Sequence, residues 1–163
     1  MVVSKPSEVG LDTSKHGVTL THGGKRVFIE DVITEEVAKS LRSKTGRLRW
    51  DDWRLEEPLA WMRSFFPIKI GESAYVVVER RNAGHKWHVD TGDAGHMPWC
   101  RYTAGVGLSP ADMFSGGGFY FRDSGPLYHY RDMIAYTADQ EHMVESHTGE
   151  RLVLLMFFEG EDG

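Results

Sequence analysis

The sequence predicts a mainly β fold, a sandwich or barrel with N-terminal helices packed on one side. Three observations carry this expectation. From Gly71 onward, short β-branched and aromatic runs are separated by turn clusters such as Ser109-Pro110-Ala111-Asp112 and Ser124-Gly125-Pro126. Residues 27–70 instead contain two stretches with helical spacing. The length of 163 residues suits one domain with a substantial core and is too short for two ordinary ones. The expected organisation is a single domain over 1–163, with a helical portion at about 27–70 and a β core at about 71–160.

Residues 1–24 are polar and glycine-bearing, which predicts an arm or a marginal first strand. Val27-Phe28-Ile29 is a short apolar strand. Thr34 stands where an N-cap belongs, and Glu35, Glu36 and Val37 open a helix to about Ser43, with Val37 and Leu41 on one face. Gly46 ends it. Beyond Trp50-Asp51-Asp52-Trp53, a second helix spans about 57–66, with Pro58 near its start, Leu59, Met62 and Phe66 at helical spacing, and Pro67 closing it. The strand candidates are 74–78, 102–108, 118–121, 128–130, 133–137, 143–146 and 151–158.

Composition narrows the function classes. Hydrophobic residues make up 40% and charged residues 26%, as in ordinary globular proteins, and no apolar run is long enough for a bilayer. The N-terminus lacks the basic and apolar regions of a secretory signal, so a cytoplasmic setting is expected. The single cysteine, Cys100, has no internal partner and belongs to no thiolate cluster. A net charge of −5, without a long basic stripe, disfavours duplex nucleic acid. Eight histidines stand out more than the charge does.

The chemistry-bearing stretch is His88-Val89-Asp90. On an extended backbone His88 and Asp90 share a face while Val89 points away. One further imidazole, with His142 the candidate, would complete the two-histidine, one-carboxylate set that holds non-haem Fe(II) and leaves positions open. Taken alone, a His-x-Asp is more simply a hydrogen-bonded surface pair. Arg151 heads the apolar strand of residues 151–158, where a guanidinium is costly unless it meets an anion. That anion is a ligand carboxylate or an internal acid such as Glu150 or Glu159, unless Arg151 lies at an exposed strand start. Arg151 follows His142 by nine residues with the turn Thr148-Gly149-Glu150 between them, so the two can lie on neighbouring antiparallel strands. The run Ser115-Gly116-Gly117-Gly118 leads into Phe119-Tyr120-Phe121 rather than a helix, so a nucleotide-binding loop is improbable.

In this order the chain, from about Val27 to Phe158, resembles the Fe(II)- and 2-oxoglutarate-dependent dioxygenases, and among them the prolyl 4-hydroxylase-like branch. The residues carrying the resemblance are the strand from Tyr75 leading to His88-Val89-Asp90, the run from Gly116 to Phe121, and His142, Val144, Gly149 and Arg151. The resemblance implies a double-stranded β-helix, a cupin-like jelly roll, preceded by helices. It also implies Fe(II) on His88, Asp90 and His142, and the 5-carboxylate of 2-oxoglutarate on Arg151. Two positions depart from the family pattern. Gly107 stands where relatives carry a tyrosine that hydrogen-bonds 2-oxoglutarate, leaving Tyr75, Tyr102 or Thr103 as candidates for that contact. His147 stands where relatives place a small apolar residue and competes with His142 as distal ligand; His142 is preferred because His147 is only four residues from Arg151.

The implied activity is hydroxylation of a C–H bond with succinate and CO2 as co-products. It uses Fe(II), 2-oxoglutarate and O2, with ascorbate a further candidate. Its substrate is a prolyl or other amino-acid residue in a peptide, or a free amino acid or small metabolite. The alternatives are a non-catalytic jelly roll binding a metal or ligand and, ranked lower on charge, a nucleic-acid demethylase. His85, His96, Trp87 and Trp99 are candidates for the substrate mouth, with loop exposure or packing as the plainer reading. Arg80, Arg81 and Arg101 are candidates for an anionic substrate, against solvated strand edges. His129 reads as a locally bonded strand side chain.

Overall fold

The computed structural model describes residues 16–81, 83–91 and 97–161. Residues 1–15 of the arm or marginal first strand expected over 1–24, His96 and the side chain of Arg81 lie outside the described residues. In chain order the elements are β1 (Val18–Thr21), β2 (Arg26–Ile29), α1 (Glu35–Arg42), β3 (Gly46–Leu48), α2 (Glu56–Phe65), β4 (Tyr75–Arg81), β5 (His85–His88), β6 (Tyr102–Gly107), β7 (Phe114–Gly116), β8 (Phe119–Phe121), β9 (Ser124–Leu127), β10 (Met133–Thr137), β11 (His142–Val144), β12 (His147–Gly149) and β13 (Arg151–Phe158).

Seven strands form a large antiparallel sheet in the order β1-β2-β10-β6-β13-β4-β3, four form a smaller one in the order β5-β11-β8-β9, and β12 pairs with β7. Period-2 alternation gives the two faces of the large sheet different roles. Leu152, Leu154, Met156 and Phe158 of β13 join Val76 and Val78 of β4 in a core with Leu41 of α1 and Trp61 and Met62 of α2. Each of these side chains contributes about 1.5–3 kcal/mol by leaving water. The intervening residues, Arg151, Val153, Leu155 and Phe157 with Tyr75, Val77 and Glu79, line a cavity between the two sheets. The helices therefore cover the back of the large sheet, leaving its front to the cavity.

Both helices follow from local chemistry. The Thr34 hydroxyl accepts the Val37 N–H at 3.1 Å as an N-cap, with Glu35 and Glu36 in the positive first turn. Asp52 caps the short turn Trp53–Leu55 that feeds α2, and Phe66 leaves the helix in an extended conformation before Pro67.

Three sequence expectations are corrected. Residues 128–130 do not form a strand: Tyr130 makes an isolated parallel bridge to Gly107, and the strand is β9, four residues earlier. As the edge of the small sheet, β9 accommodates Pro126 despite its missing N–H. The second correction concerns β3, which follows α1 where only a helix end was expected. Finally, His142 and Arg151 are not on neighbouring strands. Between them β12 pairs with β7, carrying the chain from the small sheet to the large one, so the two residues face one cavity from opposite sheets.

Gly107 is held by close approach. Its N–H donates to His129 O at 2.9 Å, its carbonyl accepts from Arg131 N at 2.8 Å, and a Cβ here would lie 2.6 Å from His129 O. Gly107→Ala is expected to cost about 2 kcal/mol in urea unfolding, because backbone rather than a flexible side chain must yield.

Candidate metal centre and adjoining cavity

His88 ends β5, and His142 opens β11 directly opposite it in the antiparallel register. Asp90 follows β5, anchored by its N–H to Ala138 O at 3.1 Å. One ligand atom from each of His88, Asp90 and His142 lies within 4.8 Å of the others. Asp90 Oδ1 is 3.6 Å from Nε2 of His88 and 3.6 Å from Nε2 of His142. Two ligands about 2.1 Å from one metal ion and at right angles stand about 3 Å apart, so this set needs only slight contraction to hold one.

The surrounding hydrogen bonds aim these atoms inward. His88 Nδ1 bonds Lys86 O at 2.7 Å, and His142 Nδ1 bonds Gln140 O at 2.8 Å. A carbonyl only accepts, so each Nδ1 is the donor and each Nε2 keeps its lone pair. Thr103 Oγ1 donates to Asp90 Oδ2 at 2.9 Å, leaving Oδ1 toward the histidines. Phe119 stacks on the His142 ring at 5.4 Å. Burial pushes Asp90 upward, but His88 and His142 in their protonated forms, together with the Thr103 hydroxyl, hold its carboxyl below the usual range. Burial lowers His142, which favours the neutral form a metal requires.

The cavity of about 460 Å³ brings further residues beside these three. Arg151 is 6% exposed, which removes the exposed strand start as an explanation, and Glu150 lies 3.8 Å from Arg80. Gly117, at φ 76°, lies against the Arg151 stem: a Cβ there would be 2.8 Å from Arg151 Cδ. The glycine run thus lets backbone close over the guanidinium stem. Thr103 lines the cavity with its hydroxyl committed to Asp90, whereas Tyr75 sits at the rim, 37% exposed, with Arg47 over its ring. His147 is buried on β12, outside the three-residue group. His85 packs against His88 with the rings tilted by 38° and their centroids 3.8 Å apart, and Trp99 lines the cavity. Trp87 instead lies under Arg122, and Arg101 bonds the Pro98 carbonyl.

Two cavity residues carried no role in the sequence reading. The Tyr136 hydroxyl reaches His142 Nε2 at 3.3 Å, and burial, reinforced by Asp90, keeps it a neutral phenol. Its signal was alternation along β10, which places Ile134 and Tyr136 on the cavity face. His129 is the other. Cys100 is buried, and burial pushes its thiol up to about 11.

No family model and no curated protein matches the chain. Solved structures do. The viral collagen prolyl hydroxylase of Paramecium Bursaria Chlorella virus-1 matches with a TM-score of 0.61 at 15% identity, over 96% of this chain and 99% of that one. The fold is that of the prolyl hydroxylases. The Pseudomonas putida prolyl-4-hydroxylase aligns over 91% of this chain and 95% of its own, with a TM-score of 0.59 and 12% identity. A Trichoplax adhaerens prolyl hydroxylase, solved with a peptide fragment of a hypoxia inducible factor oxygen degradation domain, gives 0.54 at 10% identity, covering 85% of each chain. The prolyl hydroxylase fold agrees with the jelly roll expected from the sequence. Chemistry must still be argued from the site, because folds host many functions. No helix among the described residues is long and apolar enough to cross a membrane.

Proposed function

We propose that this chain acts as one oxygenase domain that uses Fe(II), O2 and 2-oxoglutarate to hydroxylate a C–H bond, releasing succinate and CO2. The observation that carries the proposal is the convergence of His88, Asp90 and His142 within 4.8 Å in a cavity that also receives the buried Arg151. His88 Nε2, His142 Nε2 and one Asp90 oxygen would hold the metal, and their single carboxylate cancels only one of its two positive charges. The site thus favours an anionic co-substrate. Bound iron supplies the activation of O2, with 2-oxoglutarate as the source of electrons.

The protein positions and excludes. Arg151 reaches the cavity from the sheet opposite His142 and would fix the distal carboxylate of 2-oxoglutarate, leaving the oxo-acid end for the metal held by His88, Asp90 and His142. Val77, Leu155 and Phe157 keep water from the reacting region, and Met97 and Trp99 offer apolar contact to a substrate. The substrate class is a prolyl or other amino-acid residue in a peptide, or a free amino acid or small metabolite. A peptide draws support from the ligand of the Trichoplax structure.

Succinate release from 2-oxoglutarate with Fe(II) and O2, alone and with peptide and amino-acid pools, tests the proposal. Iron binding without turnover on any pool would favour a non-catalytic metal-binding jelly roll. Within this reading Thr103→Val removes the hydroxyl that orients Asp90, and metal affinity is expected to fall about 10-fold in competition with a chromogenic chelator.

A further inference from the structure

The cavity face of β6 poses a problem for any anion bound near Arg151. Its inward positions are Thr103, Gly105 and Gly107: the threonine hydroxyl is engaged by Asp90, and the glycines have no side chains. The tyrosine that the family resemblance places at 107 cannot be accommodated, since a Cβ would strike His129 O at 2.6 Å. The backbone that excludes it brings another side chain. The two hydrogen bonds tying Gly107 to His129 and Arg131 lock residues 129–131 alongside β6, and the imidazole of His129 falls over Gly105, with Cε1 3.6 Å from where a Cβ would stand.

His129 is 7% exposed, lines the same cavity as Arg151, and its buried Nδ1 has no hydrogen-bond partner. The backbone of Asp132 and Gly105 approaches the ring without giving Nδ1 a hydrogen bond. Nδ1 is shut off from the cavity, so what the ring can offer a ligand beside the buried guanidinium is its remaining edge, the one that lines the cavity. Burial and the nearby Arg151 charge push the imidazole down to about 4, so it is neutral at physiological pH and offers one N–H donor without a second positive charge.

Resting on the oxygenase reading above, we infer that His129 replaces the absent tyrosine, donating its ring N–H to the distal carboxylate of 2-oxoglutarate beside Arg151. Gly105 and Gly107 are then the complement of His129, clearing the space its ring occupies. His129 is a co-substrate-positioning residue that acts on binding.

The test measures binding rather than turnover. Full-length protein loaded with Mn(II) is titrated by calorimetry with 2-oxoglutarate and with 2-oxopentanoate, which has the same five-carbon chain but no distal carboxylate. His129→Phe is expected to weaken 2-oxoglutarate about 10-fold and leave 2-oxopentanoate within about 2-fold, while His129→Gln, which keeps a donor, loses less. Equal weakening of both ligands, or of neither, by His129→Phe overturns the inference. Should the phenylalanine variant not melt cooperatively, His129→Ala carries the same comparison: selective weakening of 2-oxoglutarate supports the inference, and equal weakening of both ligands or of neither overturns it. Wild-type protein that binds neither ligand, or an Arg151→Met variant that retains the full preference for 2-oxoglutarate, defeats the underlying co-substrate reading and the inference with it. A preference that Arg151→Met abolishes and His129→Phe leaves intact defeats the inference alone.

Discussion

Asp90→Ala is expected to lower Fe(II)-dependent succinate formation at least about 100-fold, through loss of metal rather than of structure. The two oxygens of Asp90 have separate tasks. Oδ2 takes the Thr103 hydroxyl, and Oδ1 lies 3.6 Å from both histidine Nε2 atoms. Alanine removes the only anion among the three donors and leaves two neutral imidazoles, a poor trap for a hard dication in competition with water. The metal-free variant should still melt cooperatively at a modest cost in stability, because the interactions that hold the Asp90 carboxyl below its usual range outweigh the penalty of its burial. Asp90→Asn separates charge from shape: it keeps an oxygen for Thr103 and loses the anion, so it should resemble alanine in metal affinity. Equilibrium dialysis with Mn(II), paired with thermal melts of the metal-free variants, reads both quantities. An Asp90→Ala protein that binds Mn(II) within about 3-fold of wild type would remove Asp90 from the proposed centre.

How legible the site was depended on whether a residue's role was local. His88 and Asp90 sit two apart at a strand end, so period-2 geometry placed them together without knowledge of the fold. Arg151 to Phe158 was readable as a strand because its apolar run admits no turn. His142 and Arg151 were harder. Their separation of nine residues suggested adjacent strands, yet β12 pairs with β7 and takes the chain across to the other sheet. The short strands β3 and β9 carry Gly46, Gly125 and Pro126 and owe their extended form to pairing, with Val78 to Val76 far along the chain for β3 and with the hairpin neighbour Phe119 to Phe121 for β9. No local propensity announces such edges. His129 was obscured in the same way. Between two tyrosines it resembled a strand residue, whereas its position is set by hydrogen bonds to Gly107, twenty-two residues earlier. The available signal was the pair Gly105 and Gly107 inside an otherwise β-prone segment, since glycines there mark a close approach by something else.

Acidification should destabilise the metal-free protein well before its carboxylates titrate, and His129 should be the main reason. Its imidazole is held down to about 4 in the folded protein, first by burial and then by the Arg151 charge, whereas in the unfolded chain it titrates near the ordinary histidine value of about 6.5. Above about pH 6.5 both states hold this ring neutral and it contributes no pH dependence. Between the two values the unfolded state binds a proton that the folded state refuses, so stability falls as pH falls, by about 3 kcal/mol once pH 4 is reached. His142, also lowered by burial, adds in the same direction. Asp90 has its carboxyl lowered instead, so its contribution is lost only below the ordinary aspartate value of about 3.9, whereas Asp132, raised by burial, offsets part of the histidine loss. Urea unfolding at pH 7 and at pH 4.5 is therefore expected to show a large loss in wild type and a loss smaller by about 2–3 kcal/mol in His129→Phe, with no change in m-value. Identical losses in the two proteins would mean that the buried ring takes up its proton without opposing the fold.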